Sequence, residues 1–216
     1  MKPAKQVTKG ESKLARRQRA PRLSSEARRA QLLDCAFKVF AREGIGHANH
    51  TQIASEAGVS LPAVFAYFPT HESLTQAVLD HVSDFMMARL ILPAQTGQKS
   101  AAAEIEKTLV DFLDLIDSHY EMARIWLDWS TAVRATTWPL YQEHHKKVCA
   151  VFEATIARAQ AAGETDPSIN RSDAAWVIIS LGHMIAQMKF AGEPSDRIVR
   201  AVHSVIVVYF PTMGTP

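Results

Sequence analysis

Apolar side chains in this chain recur every three or four positions and nowhere alternate. Leu33, Ala36, Phe37 and Phe40 follow i, i+3, i+4, i+7, the spacing that sets side chains on one face of a helix. The same spacing returns in Ile105, Leu109, Phe112, Leu113 and Ile116, then in Met122, Ile125, Trp126 and Trp129. It returns again in Val148, Val151, Phe152 and Ile156, and in Ile198, Val202, Val205, Ile206 and Tyr209. No run has the period of two of a half-buried strand. The expected fold is all-α with about nine helices.

Capping residues set the expected boundaries. Ser24 or Ser25 starts the first helix, with Glu26 in its first turn, where the helix dipole favours an anion. Gly44-Ile45-Gly46 ends it. Thr51 caps a short helix from Gln52 to Ala57, with Ile53, Ala54 and Ala57 inward. Gly58-Val59-Ser60 makes a tight turn, Ser60 caps the next helix, and Pro62 sits in its first turn, where a missing N–H costs little. Val64, Phe65 and Phe68 supply that helix's buried side. Thr70 caps a helix running from His71 towards Leu90. Pro93 to Lys99 and Gly163 to Asn170 read as loops. Ser172 or Asp173 caps an apolar helix reaching about Ala191, and Ser195 caps the last.

Composition excludes several classes. With 216 residues, 47% apolar and 21% charged, the chain can build a core, so general disorder is ruled out. The longest nearly apolar stretch, Ala174 to Phe190, is interrupted by Ser180, His183, Gln187 and Lys189, short of a span of about 20 apolar residues. The basic start leads into no apolar segment, so no signal peptide is expected. Cys35 and Cys149 are too few for a disulfide scaffold, and a cytoplasmic location is expected. The chain contains no glycine-rich phosphate loop, no G-x-S-x-G and no paired metal motif, so catalytic residues, cofactor and metal are all expected to be none. Asp111, Asp114 and Asp117 read as solvated charge. His144 and His145 read as lying on a polar face with Glu143, a poor pair for one metal because neighbours on a helix point about 100° apart. Cys149 reads as structural and His183 as a satisfied buried histidine.

Charge is segregated. Residues 1–29 carry ten basic and two acidic side chains, net +8; residues 1–68 are +7 and residues 69–216 are −5, summing to +2. One end is suited to a polyanion; a solvated basic tail is the bland alternative. Just downstream, the two short helices joined by Gly58-Val59-Ser60 form a helix-turn-helix candidate, against the alternative of an ordinary helix hairpin. Small Ala54 and Ala57 allow a close crossing, and a short second helix fits a major groove about 12 Å wide.

These segments carry a resemblance. Phe40-Ala-Arg-Glu-Gly44, Thr51-Gln-Ile-Ala-Ser-Glu-Ala-Gly-Val-Ser60 and Val64-Phe-Ala-Tyr-Phe68, with Glu72 and Leu74, resemble the N-terminal domain of TetR-type transcriptional regulators over about residues 24–80. Arg22-Leu23-Ser24, Tyr67-Phe-Pro-Thr70, Trp126-Leu-Asp-Trp-Ser130 and Trp138-Pro-Leu140 are most similar to the LuxR/HapR-type quorum-sensing master regulators of vibrios. The resemblance implies an arm at 1–22, a helix-turn-helix domain at 23–70, and a dimerisation and regulatory domain at 71–216. It implies double-stranded DNA as partner, with Thr51 and Tyr67 on phosphates, Arg22 in the minor groove assisted by Arg19, and a recognition helix from Ser60 to Phe68 carrying Leu61, Ala63 and Ala66. His71 completes the expected DNA-binding set. Two residues depart from the pattern: Ala66 stands where the close branch has Asn, and His71 where the family has Lys and the branch Arg. With only Ser60 and Tyr67 polar from Ser60 to Phe68, the helix lacks the Arg, Lys, Asn or Gln of a bidentate base contact. Specificity is therefore expected to lean on the arm, apolar contacts and DNA shape, favouring narrow A·T-rich minor grooves.

For the second domain, the apolar helix from Ala174 and the last helix are expected to form an intersubunit bundle, against burial within one subunit. Phe112, Met122, Trp126, Trp129, Trp138, Met184 and Met188 are candidates to line a pocket for a small apolar ligand, or else plain core. A regulator controlled by its own abundance, with no ligand, is the alternative; a helical enzyme without a recognisable motif is a distant one.

Overall fold

The spacing that predicts helices does so throughout. The computed structural model describes residues 23–94 and 100–210. The basic arm, with Arg19 and Arg22, lies outside the described residues, as does most of the loop expected after Pro93. Among the described residues there is no strand. Nine helices follow in order: α1 (Ser25–Glu43), α2 (His50–Ala57), α3 (Leu61–Phe65), α4 (His71–Met86, continued by a π-helical turn Met87–Ile91 and a last turn Leu92–Ala94), α5 (Ala101–Ser118), α6 (Tyr120–Thr131), α7 (Trp138–Ala162), α8 (Arg171–Phe190) and α9 (Ser195–Tyr209).

The caps refine the expected boundaries. Ser24 caps α1, its hydroxyl accepting from the Ala27 N–H at 3.1 Å. Asn49, not Thr51, caps α2, and Gln52 closes a reciprocal capping box with it; Asn49 precedes Gln52 by the three residues this box requires. Ser60 stands at the N-cap of α3 but makes no side-chain cap bond. Thr70 caps α4 as expected, with Ser73 as its partner. Asn170, rather than Ser172 or Asp173, caps α8. Pro194, not Ser195, precedes α9, and Ser195 instead accepts a hydrogen bond from Lys189. Gly58 ends α2 with φ +64, a left-handed conformation that glycine takes without steric cost.

Buried apolar side chains form one continuous core from Leu32 to Phe210. α2 packs on both α1 and α3, and α1 also meets α4 and α6. Two polar bonds fasten the end of α1 to α6. Arg124 donates from Nε to the Ala41 carbonyl at 2.8 Å, and Asp128 accepts from the Ile45 N–H at 2.9 Å. α7 and α8 pack along each other, with α5 across α8. α4 spans the molecule: it starts just after α3, and its π turn reaches the far core through Leu90 and Ile91.

Candidate functional site

Two surfaces stand out, one outside and one inside. The outer one is α3. Val64 (0% exposed) occupies its inward face, and Phe68 (1%), in the turn that follows, is buried with it. Phe65 is the next residue after Val64, turned by about 100°, and so it leaves the core. It is 42% exposed, with Leu61, one turn earlier, 37% exposed. Phe65 is thus not on the buried side, as expected from sequence, but on an outward apolar stripe. Its ring stacks on His50 at 4.3 Å, and the His50 Nε2 meets the Phe68 carbonyl at 2.8 Å. The outward Phe65 therefore rests on a histidine that is fastened to the backbone just beyond α3.

The other expected DNA-binding residues surround this stripe in the sequence of elements. Thr51 is exposed at the start of α2, Ser60 and Ala66 are exposed at the two ends of α3, and Ala63 and Tyr67 are half-buried. The Thr51 and Tyr67 hydroxyls have no partner among the described residues. His71 is exposed at the first position of α4, with Nε2 3.5 Å from the Thr75 hydroxyl. Arg29 lies over the Phe68 ring at 5.2 Å, close enough for a cation–π contact.

The inner surface is a cavity of about 60 Å³ lined by residues of α4, α5, α6, α7 and α8 and partly open to solvent. Of the expected pocket residues, Phe112 and Trp126 line it, edge to face at 5.2 Å. The other five do not. Trp129 is buried core: it stacks near His144 at 5.6 Å and donates from its indole N–H to the Thr137 carbonyl at 3.1 Å. Trp138 stacks on the outer side of Tyr141 at 5.1 Å, so Tyr141 takes the wall position. Met184 and Met188 lie round α8 from Ile178 and Gly182, which do line the cavity; at 100° per residue the two sets diverge. Met122 is half-buried one turn before Trp126.

The wall residues that sequence reasoning missed come from α4, α5, α7 and α8, and the polar ones are mostly on α7. His144 and His145 are 4% and 7% exposed, not on a polar face with Glu143. Tyr141, His144, His145, Val148 and Phe152 all line the cavity, and their spacing of 3, 4, 7 and 11 is the inward stripe of a helix. The signal lay in the spacing and was masked by residue type. His144 Nδ1 meets the Ser83 hydroxyl of α4 at 2.9 Å, and His145 Nδ1 meets Cys149 Sγ at 3.4 Å. Burial, with the neighbouring His145 and Lys147 charges, pushes the His144 pKa down to about 4. Burial and then His183 lower that of His145. Burial also drives Cys149 up to about 11, aided by Glu153, and Tyr141 up to about 12, aided by Cys149. All four groups are therefore neutral near pH 7, and Cys149 is an inert thiol. His183, half-buried, stacks on Trp126 at 4.6 Å and meets both the Ile179 carbonyl and the Tyr141 hydroxyl.

Among the described residues, no three of His, Cys, Asp or Glu gather as a metal site requires, and no helix is long and apolar enough to cross a membrane. Asp114 is exposed, while Asp111 and Asp117 form ion pairs with Lys107 and Lys189, in keeping with solvated charge.

Comparison with known proteins adds three findings. The family described as bacterial regulatory proteins, tetR family, matches residues 32–78. The HTH-type transcriptional regulator LuxR of Vibrio harveyi is 33% identical over 162 residues, covering 71% of this chain and 76% of that protein. Two solved structures share the fold. FadR of Bacillus subtilis, in complex with stearoyl-CoA, superposes with TM-score 0.69 at 16% identity over 82% of this chain and 95% of its own. A TetR-family regulator from Agrobacterium tumefaciens does so with TM-score 0.76 at 12% identity, over 86% and 98%.

Proposed function

Since the chain belongs to the TetR family of bacterial transcriptional regulators, we propose that it acts as a homodimer on a pseudo-palindromic operator, in a role of the quorum-sensing master-regulator kind. It is a DNA-binding regulator, not an enzyme. In the proposed division of labour, residues 23–70 read DNA, residues 1–22 serve as a basic arm, and residues 71–216 dimerise and regulate. The observation that carries this reading is the outward stripe of α3, exposed at Leu61 and Phe65, just downstream of a segment of net charge +8.

Within this reading, Thr51 and Tyr67 hold phosphates with their free hydroxyls, and His71 lies near the backbone. Leu61, Ala63, Phe65 and Ala66 meet thymine methyl groups in the major groove. Arg22, helped by Arg19, enters the minor groove. α8 and α9 form the dimer seam: Trp176 is 57% exposed and Val208 74% in the single chain, large apolar groups of the kind that interfaces cover. The two α3 helices then face half-sites about one DNA turn apart.

A small ligand in the cavity modulates DNA binding. FadR, which shares the fold, is described with stearoyl-CoA. α4 offers the route, since it leaves α3 at Thr70, joins α7 through Ser83 and His144, and turns into a π helix at the cavity wall. Such π turns frequently mark functional sites.

A genome-wide binding map tests the core of this reading. It is expected to return a pseudo-palindrome whose affinity, measured by fluorescence anisotropy, falls steeply with salt. No enriched sequence, or binding by a monomer, would refute it. Native mass spectrometry of protein purified from its own cells tests the ligand arm: a retained small molecule supports it, and a clean dimer mass supports control by abundance.

A further inference from the structure

The cavity is chemically narrower than a general apolar pocket. Its wall is almost wholly apolar, and no Lys, Arg, Asp or Glu lines it. Four polar side chains reach it: Thr108, Tyr141, His144 and His145. Thr108 donates its hydroxyl to the Glu104 carbonyl at 2.8 Å, and the Tyr141 hydroxyl meets His183. The two histidines are each engaged at Nδ1. Their Nε2 atoms have no protein partner among the described residues, which leaves one hydrogen-bonding position per ring.

Both rings are neutral, since burial lowers their pKa values. A neutral imidazole offers a hydrogen bond but no charge. A carboxylate or phosphate brought into such a site would be buried without a cation, which is strongly unfavourable. Size adds a second restriction. The volume is about 60 Å³, where about 10–15 Å³ on the same scale holds one water. That suits one small molecule and not a long acyl chain.

We infer that the cavity binds a small, uncharged, mainly apolar molecule bearing one hydrogen-bonding group, oriented by His144 and His145, and that it rejects carboxylates and acyl-CoA. The inference rests on the cavity being the regulatory site. The ligand's polar group takes an Nε2 position, and its body packs against Phe112, Trp126 and Gly182.

The test titrates the full chain with phenol, toluene, benzoate and hexanoyl-CoA, read by tryptophan fluorescence, because Trp126 is part of the wall, and by thermal shift. Phenol is expected to bind at least about tenfold more tightly than benzoate, whose charge would be buried unpaired, or hexanoyl-CoA, whose bulk the cavity cannot hold. It is also expected to bind about fivefold more tightly than toluene through its hydrogen bond, a preference that His145→Phe reduces. Gly182→Ala is the variant that keeps the fold: its added methyl would lie 3.7 Å from Trp126 and 4.0 Å from Phe112, ordinary contacts that fill part of the cavity. It is expected to weaken phenol at least about threefold while leaving the protein folded. Benzoate or hexanoyl-CoA binding as tightly as phenol, no phenol binding, or phenol binding unchanged in Gly182→Ala would overturn the inference. Operator affinity is measured alongside. Phenol binding with no effect on the operator leaves the ligand class standing and removes the regulatory reading. Operator release by hexanoyl-CoA does the reverse.

Discussion

α3 and α7 treat burial in opposite ways. α3 turns apolar Leu61 and Phe65 out to solvent, whereas α7 turns polar His144 and His145 into the core. Each choice opposes the usual partition of residue types, and each coincides with a surface to which we assign a proposed partner. The outward aromatic is held in place from beneath by His50, and the inward histidines are held by Ser83 and Cys149. Such supports keep a costly arrangement in one geometry, which is what a binding surface requires. The misplaced residue types therefore carry the proposed sites, and the ordinary Leu, Ile and Val of the core say only how the molecule stands up.

The sharpest way to break the comparison is acid. His144 has a folded pKa of about 4 against an unfolded value near 6.5. The unfolded chain takes up the proton first, so the contribution of the neutral ring is fully present above pH 6.5 and is lost as pH falls through about 4. Wild-type stability is expected to drop by about 3 kcal/mol more over that window than the double variant Ser83→Ala/His144→Phe, which removes both partners. Urea unfolding at pH 7 and pH 4, at one fixed protein concentration, checks this; parallel losses would show that the buried ring carries no such load.

On the outer side, Leu61→Ser/Phe65→Ser is expected to weaken operator binding about a hundredfold, near 3 kcal/mol, with little change in unfolding temperature. A matching loss of stability would mean that the stripe supports the fold instead of reading DNA. Arg22→Ala, in the arm, is expected to cost about tenfold in affinity and to flatten the salt dependence. Unchanged binding would assign recognition to α3 alone. The smallest effect belongs to Gly182→Ala, expected to raise stability by about 0.5–1 kcal/mol through helix propensity, read as a higher unfolding temperature. A lower temperature would mean that the cavity wall tolerates no added methyl.

How much of this was legible in the sequence depended on which property carried the information. Periodicity gave the all-helical fold, and the Thr70 cap and the Gly58 turn fell where residue chemistry put them. Cap choice failed where an Asn two or three residues upstream took the role, as Asn49 did from Thr51 and Asn170 from Ser172, and at the last helix, which Pro194 precedes. Reading by residue type failed at function. Aromatic character points Phe65 inward, though in a five-residue helix with Val64 turned to the core the next residue must face away from it. His144 and His145 were assigned outward because they are polar, though they share the stripe of Tyr141 and Val148. Trp138 and Met184 were assigned to the cavity by adaptability of side chain, which says nothing of angle. Wall membership depends on which neighbour stands in front, as Tyr141 stands before Trp138, and that is a three-dimensional fact.

The fastening between α1 and α6 has a bearing on which substitutions the joint accepts. Arg124 and Asp128 grip a carbonyl at residue 41 and an N–H at residue 45, and every amino acid offers the first while all but proline offer the second. Neither bond depends on the side chain at 41 or 45, so substitutions there leave both bonds in place unless residue 45 becomes proline, whereas Gly44 between them has φ +85 and an added Cβ would lie 3.5 Å from the Asp128 carboxylate, so a side chain there strains the joint itself.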